Sequence, residues 1–398
     1  MNAIEHYIKE NIDKTIKRKA GMKPFTVPCI SETYTDFYYW DTYFTDFALF
    51  HTGNLAQVEN NLDNMKGFVE MLGYIPNSDI TTNRSQPPLF ARAVYDYYLA
   101  CGKKEEIARA YLPAIVKEHA FWMKERLLPC GLNGYKHNAD GAYLVPFCAE
   151  IEKRVGCVGA YADRLEQGAH FLAIAESGWD FTPRFRSGAN RYAGMDYAPV
   201  DLNAILYNME EIAARFAQAT GDRALAEEFT AYAATRKALM LQYMAGNDGL
   251  LFDYNAKTGQ RSELYHAGMF SPFALGVLHT RESAEKLLAH LEYEHGVSAC
   301  EFRADDKFDQ WDYPSMWPPF VYFCTEGLER AESACAARIA RKYCAAVEGV
   351  FEKTGTLWEK YDARTGAVAE NAEYTTPPML GWTAGVYCYL SQKYKNEE

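Results

Sequence analysis

Three tryptophan–aspartate pairs stand far apart in this chain: Trp40-Asp41 in FYYWDTYF, Trp179-Asp180 in ESGWDFTPRF and Trp311-Asp312 in DQWDYPSMWPP. Trp317 closes the last of these clusters, Trp358 precedes Glu359 in TLWEKYD, and Trp382 lies in LGWTAG. Only Trp122 sits in ordinary amphipathic text. A flat indole covers the apolar face of a pyranose ring, and a carboxylate beside it accepts from the sugar hydroxyls. Repetition of that pattern points to carbohydrate chemistry. At any single position the competing reading is a buried tryptophan next to an aspartate that caps a helix. The overall aromatic content, 22 Phe, 29 Tyr and 7 Trp, fits either a large core or a ring-lined sugar pocket.

The elements that must position these residues read as helix after helix. Asn2–Lys19 opens with Ile4, Tyr7, Ile8, Ile12 and Ile16 at helical spacing. Helical text continues over Trp40–His51, Leu55–Leu72, Leu89–Cys101, Lys104–Leu127, Glu166–Ser177, Pro199–Thr220 and Arg223–Met244. It resumes over Ser271–Leu278, Arg281–Tyr293, Trp317–Leu328, Ala331–Lys353 and Met379–Tyr394. Gly134–Val145 and Asp248–Tyr254 read as candidate small hairpins. No Pro/Ser-rich linker or fixed-period repeat divides the text, so residues 1–398 read as one all-α domain. About a dozen helices with long polar-aromatic loops is what an (α/α)6 barrel requires, although a helical solenoid or an irregular bundle would give similar counts.

Composition narrows the function. Forty-one basic against 53 acidic residues leave a net charge of −12, a surface that repels nucleic-acid phosphates. No run of 18 apolar residues occurs. The N-terminal text is charged throughout and shows no secretory h-region, and the ten cysteines form no C-x-x-C pair. The expectation is a cytoplasmic protein with reduced thiols, no metal and no cofactor. G-x-G-x-x-G, G-K-[ST] and G-x-S-x-G are absent, leaving nucleotide-dependent and serine-hydrolase chemistry without support.

The polar-aromatic clusters resemble the markers of the trehalases, glycoside hydrolase family 37, and of their relatives in family 63. Gln310-Trp311-Asp312-Tyr313-Pro314-Ser315-Met316-Trp317-Pro318-Pro319 fits the family's Q-W-D-x-P-x-x-W-x-P without a gap. Tyr38-Tyr39-Trp40-Asp41-Thr42-Tyr43-Phe44 differs from Y-Y-W-D-S-Y-F at one hydroxyl residue. Arg84-Ser85-Gln86-Pro87-Pro88, Ser177-Gly178-Trp179-Asp180 and Pro199-Val200-Asp201-Leu202-Asn203 match R-S-Q-P-P, S-G-W-D and P-V-D-L-N. Glu359-Lys360-Tyr361-Asp362, Glu373-Tyr374 and Gly381-Trp382-Thr383 follow in family order.

The resemblance implies an (α/α)6 barrel that hydrolyses an α-glycosidic bond with inversion, acting on trehalose or a similar short α-glucoside. Asp180 would be the general acid and Glu359 the general base, one carboxyl kept protonated while its partner stays ionised. Inversion wants the two about 6.5–9.5 Å apart, leaving room for a water. Trp40, Asp41, Asn77, Arg84, Gln86, Trp179, Trp311, Asp312 and Trp382 would bind the sugar, with Trp317 as a further wall, and Glu373 would help hold the attacking water. The chain also departs from the family. Thr33, followed by Tyr34, stands where the first marker carries an arginine, and no R-P-E-S precedes S-G-W-D. Residues 363–372 replace the glycine-rich lid. These departures all fall on the side that would hold the second sugar.

Hydrolysis of glucosylglycerate or mannosylglycerate is therefore the alternative reading, in which Arg84, Arg184 or Arg186 would meet the glycerate carboxylate. A sugar epimerase or isomerase on the same barrel usually needs histidine, and none lies in a matched motif. A non-catalytic sugar-binding protein would have lost one of the two carboxyls, and both are present.

Overall fold

The computed structural model describes residues 2–156, 159, 162–188, 191–304, 309–370, 375–378 and 380–395. Glu373 and Cys157 lie outside them. The helices are α1 (Ala3–Asn11), α2 (Tyr39–Thr52), α3 (Leu55–Leu72), α4 (Phe90–Ala100), α5 (Glu105–Glu125), α6 (Gly141–Arg154) and α7 (Arg164–Ser177). They continue with α8 (Val200–Ala219), α9 (Arg223–Met244), α10 (Ser271–Ala274), α11 (Arg281–Leu291), α12 (Pro318–Arg330), α13 (Cys335–Thr354) and α14 (Gly381–Lys393).

Six of these close a ring. α2 packs on α4, α4 on α8, α8 on α10, α10 on α12, α12 on α14, and α14 returns to α2. α3, α5, α9, α11 and α13 pack outside their inner neighbours. α1 completes the outer layer, with the Tyr7 ring edge-on to Phe351 of α13 and Asn2 donating to the Tyr387 hydroxyl of α14. This is the (α/α)6 barrel, with α6 and α7 as an additional packed pair. Inner helices α2, α8 and α12 are buried along most of their lengths, as enclosed helices must be. In α12, for example, Pro318 through Thr325 are all buried.

Local chemistry explains where sequence and structure differ. The Asn2–Lys19 stretch is not one helix. A capping box between Asn2 and Glu5 starts α1, but after Asn11 the chain tightens into a 3-10 turn, and Ile16–Lys17 pairs antiparallel with Phe25–Thr26. Thr15 and Ile16 are β-branched, and the facing segment gives their backbone a better partner than another helical turn. Gly134–Val145 is not a hairpin either. The Asp140 side chain accepts from the Tyr143 amide and starts α6, which runs through Pro146. Proline removes one intrahelical bond there without ending the helix. At Asp248–Tyr254, Ala245 bridges Leu251, while the true strand pair is Tyr254–Asn255 with Gln260–Arg261. The nine described cysteines are free thiols.

Candidate active site

A cavity of about 290 Å3 opens at the end of the barrel where inner helices α2, α12 and α14 begin. Trp40 and Asp41 reach it from the first turn of α2, and Trp382 from the first turn of α14. Asn77, Arg84 and Gln86 come from the loop between α3 and α4. Asp180 follows Gly178, whose left-handed conformation (φ +75°) ends α7. A Cβ at Gly178 would sit 2.8 Å from the Trp40 ring, so only glycine permits this approach. Trp311 and Trp317 come from the segment before α12, and Glu359 from the segment before α14.

These segments are tied to one another. Strand Ser315–Met316 pairs antiparallel with Tyr361–Asp362, which registers the tryptophan motif against the segment of Glu359. The Trp382 indole donates to the Glu359 carbonyl at 2.8 Å. The Gln86 side chain accepts from the Trp40 amide, one of the orphan donors at the start of α2. Glu176 of α7, fully buried, accepts from the Ser85 and Lys136 amides and pairs with Arg126 through two 2.8 Å bonds. It thereby fixes the Arg84–Gln86 loop to the helix that delivers Asp180.

The walls are aromatic. Trp311 and Trp317 stack 3.6 Å apart at 5°, and Trp40 packs against both Trp311 and Trp382. The Lys360 ammonium lies 4.7 Å from the Trp317 ring centre and 3.6 Å from Glu359 Oε2, balancing that carboxylate in a dry setting. The Tyr34 hydroxyl donates to Glu359 Oε1 at 3.4 Å.

Three carboxyls therefore share the cavity. Asp180 leaves 30% of its side-chain surface open, yet burial still raises its pKa. Arg154, 3.9 Å away, and Arg84 pull in the opposite direction. Asp41 is pushed up to about 8, first by burial and then by the charges of Glu359 and Asp180. At neutral pH it carries a proton and can donate a hydrogen bond.

The structure thus brings together Trp40, Asp41, Asn77, Arg84, Gln86, Asp180, Trp311, Trp317, Glu359 and Trp382. It does not bring Trp179 or Asp312 to the cavity. Trp179 is fully buried behind Asp180, and its indole donates to Asp201. Asp312 is held by Arg303 at 2.9 Å and by the Tyr313 amide at 2.7 Å. Arg184 and Arg186 are engaged too, the first with Asp201 and Asp253, the second with Asp309. Sequence reasoning missed Tyr34, Tyr38 and Arg154, which all line the cavity. Tyr38 stood inside the first aromatic cluster and was legible there. Arg154 depends on α6, which the sequence did not reveal. Among the described residues, no group of three or more His, Cys, Asp or Glu side chains could hold a metal ion.

A helical barrel with paired carboxyls in an indole-lined cavity defines a glycoside hydrolase. The family profile of the trehalases matches residues 3–395, and the chain belongs to the trehalase family. The periplasmic trehalase of Citrobacter koseri is 30% identical over 390 residues, covering 92% of this chain and 67% of the relative. That of Salmonella enteritidis is 30% identical over 377 residues, covering 89% and 65%. The chain thus spans about two thirds of the length of these relatives. Among solved structures, the neutral trehalase of Saccharomyces cerevisiae matches with a TM-score of 0.77 at 22% identity, covering 98% of this chain and 80% of that one. A GH63 mannosylglycerate hydrolase from Thermus thermophilus matches with a TM-score of 0.65 at 17% identity, covering 98% and 100%. At these identities the likeness is one of fold. The expectation of a cytoplasmic protein is corrected here: the curated relatives are periplasmic enzymes, which points away from that compartment. No helix among the described residues is long and apolar enough to cross a membrane.

Proposed function

We propose that this chain is an inverting, exo-acting α-glucosidase that hydrolyses α,α-trehalose or a similarly short α-glucoside, working as a single catalytic domain. One observation carries the reading: Asp180 and Glu359 open into the same indole-lined cavity, and burial favours the protonated form of the first. Asp180 then gives its proton to the glycosidic oxygen as the bond to the anomeric carbon breaks. Glu359 takes a proton from the water that attacks that carbon from the opposite face. The indoles of Trp40, Trp311, Trp317 and Trp382 cover the apolar faces of the ring, while Asn77, Gln86 and protonated Asp41 meet its hydroxyls. The cavity volume, about 290 Å3, lies near the lower end of small-molecule sites, and this size favours a single ring over an internal stretch of polymer.

A second reading is favoured by a specific observation. Arg84 and Arg154 both act on Asp180, so two guanidinium groups flank the place where a leaving group must sit. A glycerate carboxylate would fit there, as in glucosylglycerate or mannosylglycerate.

The test is a substrate panel of trehalose, glucosylglycerate, mannosylglycerate, kojibiose, nigerose, maltose and isomaltose, with NMR following the anomer released first. Rapid glucose release from trehalose as the β-anomer is the expected result. Selective turnover of a glycerate glycoside would transfer the assignment to the second reading. α-Anomer first would refute inversion.

A further inference from the structure

We propose that Trp179 is a positioning residue for the general acid, pinned by a fully buried Asp201–Arg184–Asp253 cluster that holds Asp180 in register with the scissile bond. The inference rests on the glycosidase reading above and adds a group that neither lines the cavity nor touches substrate.

Trp179 and Asp180 are consecutive, but they face opposite ways. Asp180 opens into the cavity, while Trp179 is fully buried against Phe320 at 4.2 Å and Trp311 at 5.6 Å between ring centres. The Trp179 indole donates to Asp201 Oδ2 at 3.2 Å, and its ring faces the Arg184 guanidinium at 4.3 Å. Arg184 binds two carboxylates at once. It meets Asp201 through bonds of 2.9 and 2.8 Å, and Asp253 through two of 2.9 Å. The Leu202 and Val200 amides, at the start of α8, donate to the same two carboxylates at 3.0 and 2.8 Å. Arg184 also lies just beyond the acid in the chain, so this cluster grips the acid-bearing segment on both sides of Asp180 and locks it to an inner helix.

A buried ion cluster is a poor device for stability alone, because apolar residues of the same volume do as well or better. It is a good device for fixing one geometry, since charged pairs tolerate little displacement in a dry interior. The acid is where such accuracy matters: it must reach an oxygen across a hydrogen bond, and a shift of about 1 Å can cost about 100-fold in rate.

Two variants test this. Trp179→Phe keeps an aromatic ring and deletes the indole N–H, and Asp201→Asn keeps the shape and deletes the charge. Each is assayed on the panel disaccharide that the wild type turns over fastest, and on α-D-glucosyl fluoride, whose leaving group departs as an anion and needs no proton. On the disaccharide, kcat is expected to fall about 10- to 100-fold with KM within about twofold. On the fluoride, kcat stays within about threefold of wild type. Equal losses on both substrates, or no loss on the disaccharide, would overturn the proposal. If Asp201→Asn fails to fold by circular dichroism, Trp179→Phe decides alone. A wild type that turns over neither substrate would instead bring down the glycosidase reading itself.

Discussion

Replacement of Asp41 by asparagine is expected to stabilise the protein. An aspartate in the unfolded chain titrates near 3.8, whereas in the fold Asp41 holds its proton to about 8. Its folded value is raised, so its contribution is intact below the unfolded value and is lost as pH rises towards the folded one. At 1.36 kcal/mol per unit, the penalty grows to about 1.5 kcal/mol at pH 5 and about 4 kcal/mol at pH 7. It levels off above pH 8. Asparagine has the same shape and no proton to lose, so Asp41→Asn escapes the penalty. Unfolding entropy of about 2.1 cal/mol/K per residue makes each kcal/mol worth roughly 1 °C in a chain of 398 residues. The variant should therefore melt about 2 °C above wild type at pH 5 and about 5 °C above it at pH 7. The assay is thermal unfolding by circular dichroism at a series of pH values. A variant that melts at or below wild type at pH 7, or a gap that does not widen between pH 5 and 7, would refute the reasoning.

Asp180→Asn and Glu359→Gln should each lower kcat at least about 1,000-fold with melting temperatures close to wild type; near-normal turnover in either variant would remove its role. Arg154→Gln takes away a cation that lowers the Asp180 pKa, so the acid keeps its proton to higher pH and the alkaline limb of the kcat–pH profile moves upward. A limb that stays put or moves down would show that Arg154 does not act on the acid. Glu176→Gln strands the buried Arg126 charge and sets an amide N–H against donors, which should cost about 3–5 kcal/mol and lower the melting temperature by about 4–6 °C.

The helices of the two layers were plain in the text, because inner ones such as α12 carry a long buried run and outer ones such as α13 bury residues at helical spacing. α6 was not, since Tyr143-Leu144-Val145-Pro146 reads as the end of a strand unless Asp140 is seen as its cap. The indole–carboxyl pairs were equally plain, but their directions were not. Trp40 and Asp41 lie on a helix, where successive side chains diverge by about 100° and both can reach one cavity. Trp179 and Asp180 lie beyond a helix end, where the first turns into the core and only the second turns out. Asp312 looks identical in sequence to Asp41, yet Arg303 occupies it. Which acid is spent on an arginine is a matter of tertiary neighbours, and sequence spacing carries no trace of it.

The contact of α14 with α2 has a consequence for how the protein matures on the ribosome. Asp41 emerges in synthesis well before Glu359 and Trp382, and their segments meet only when the circle of helices shuts. Contacts between such distant parts of a chain are slow to form. A nascent chain therefore carries Asp41 and Asp180 without a closed cavity around them, and the cavity should be completed only when α14 docks on α2.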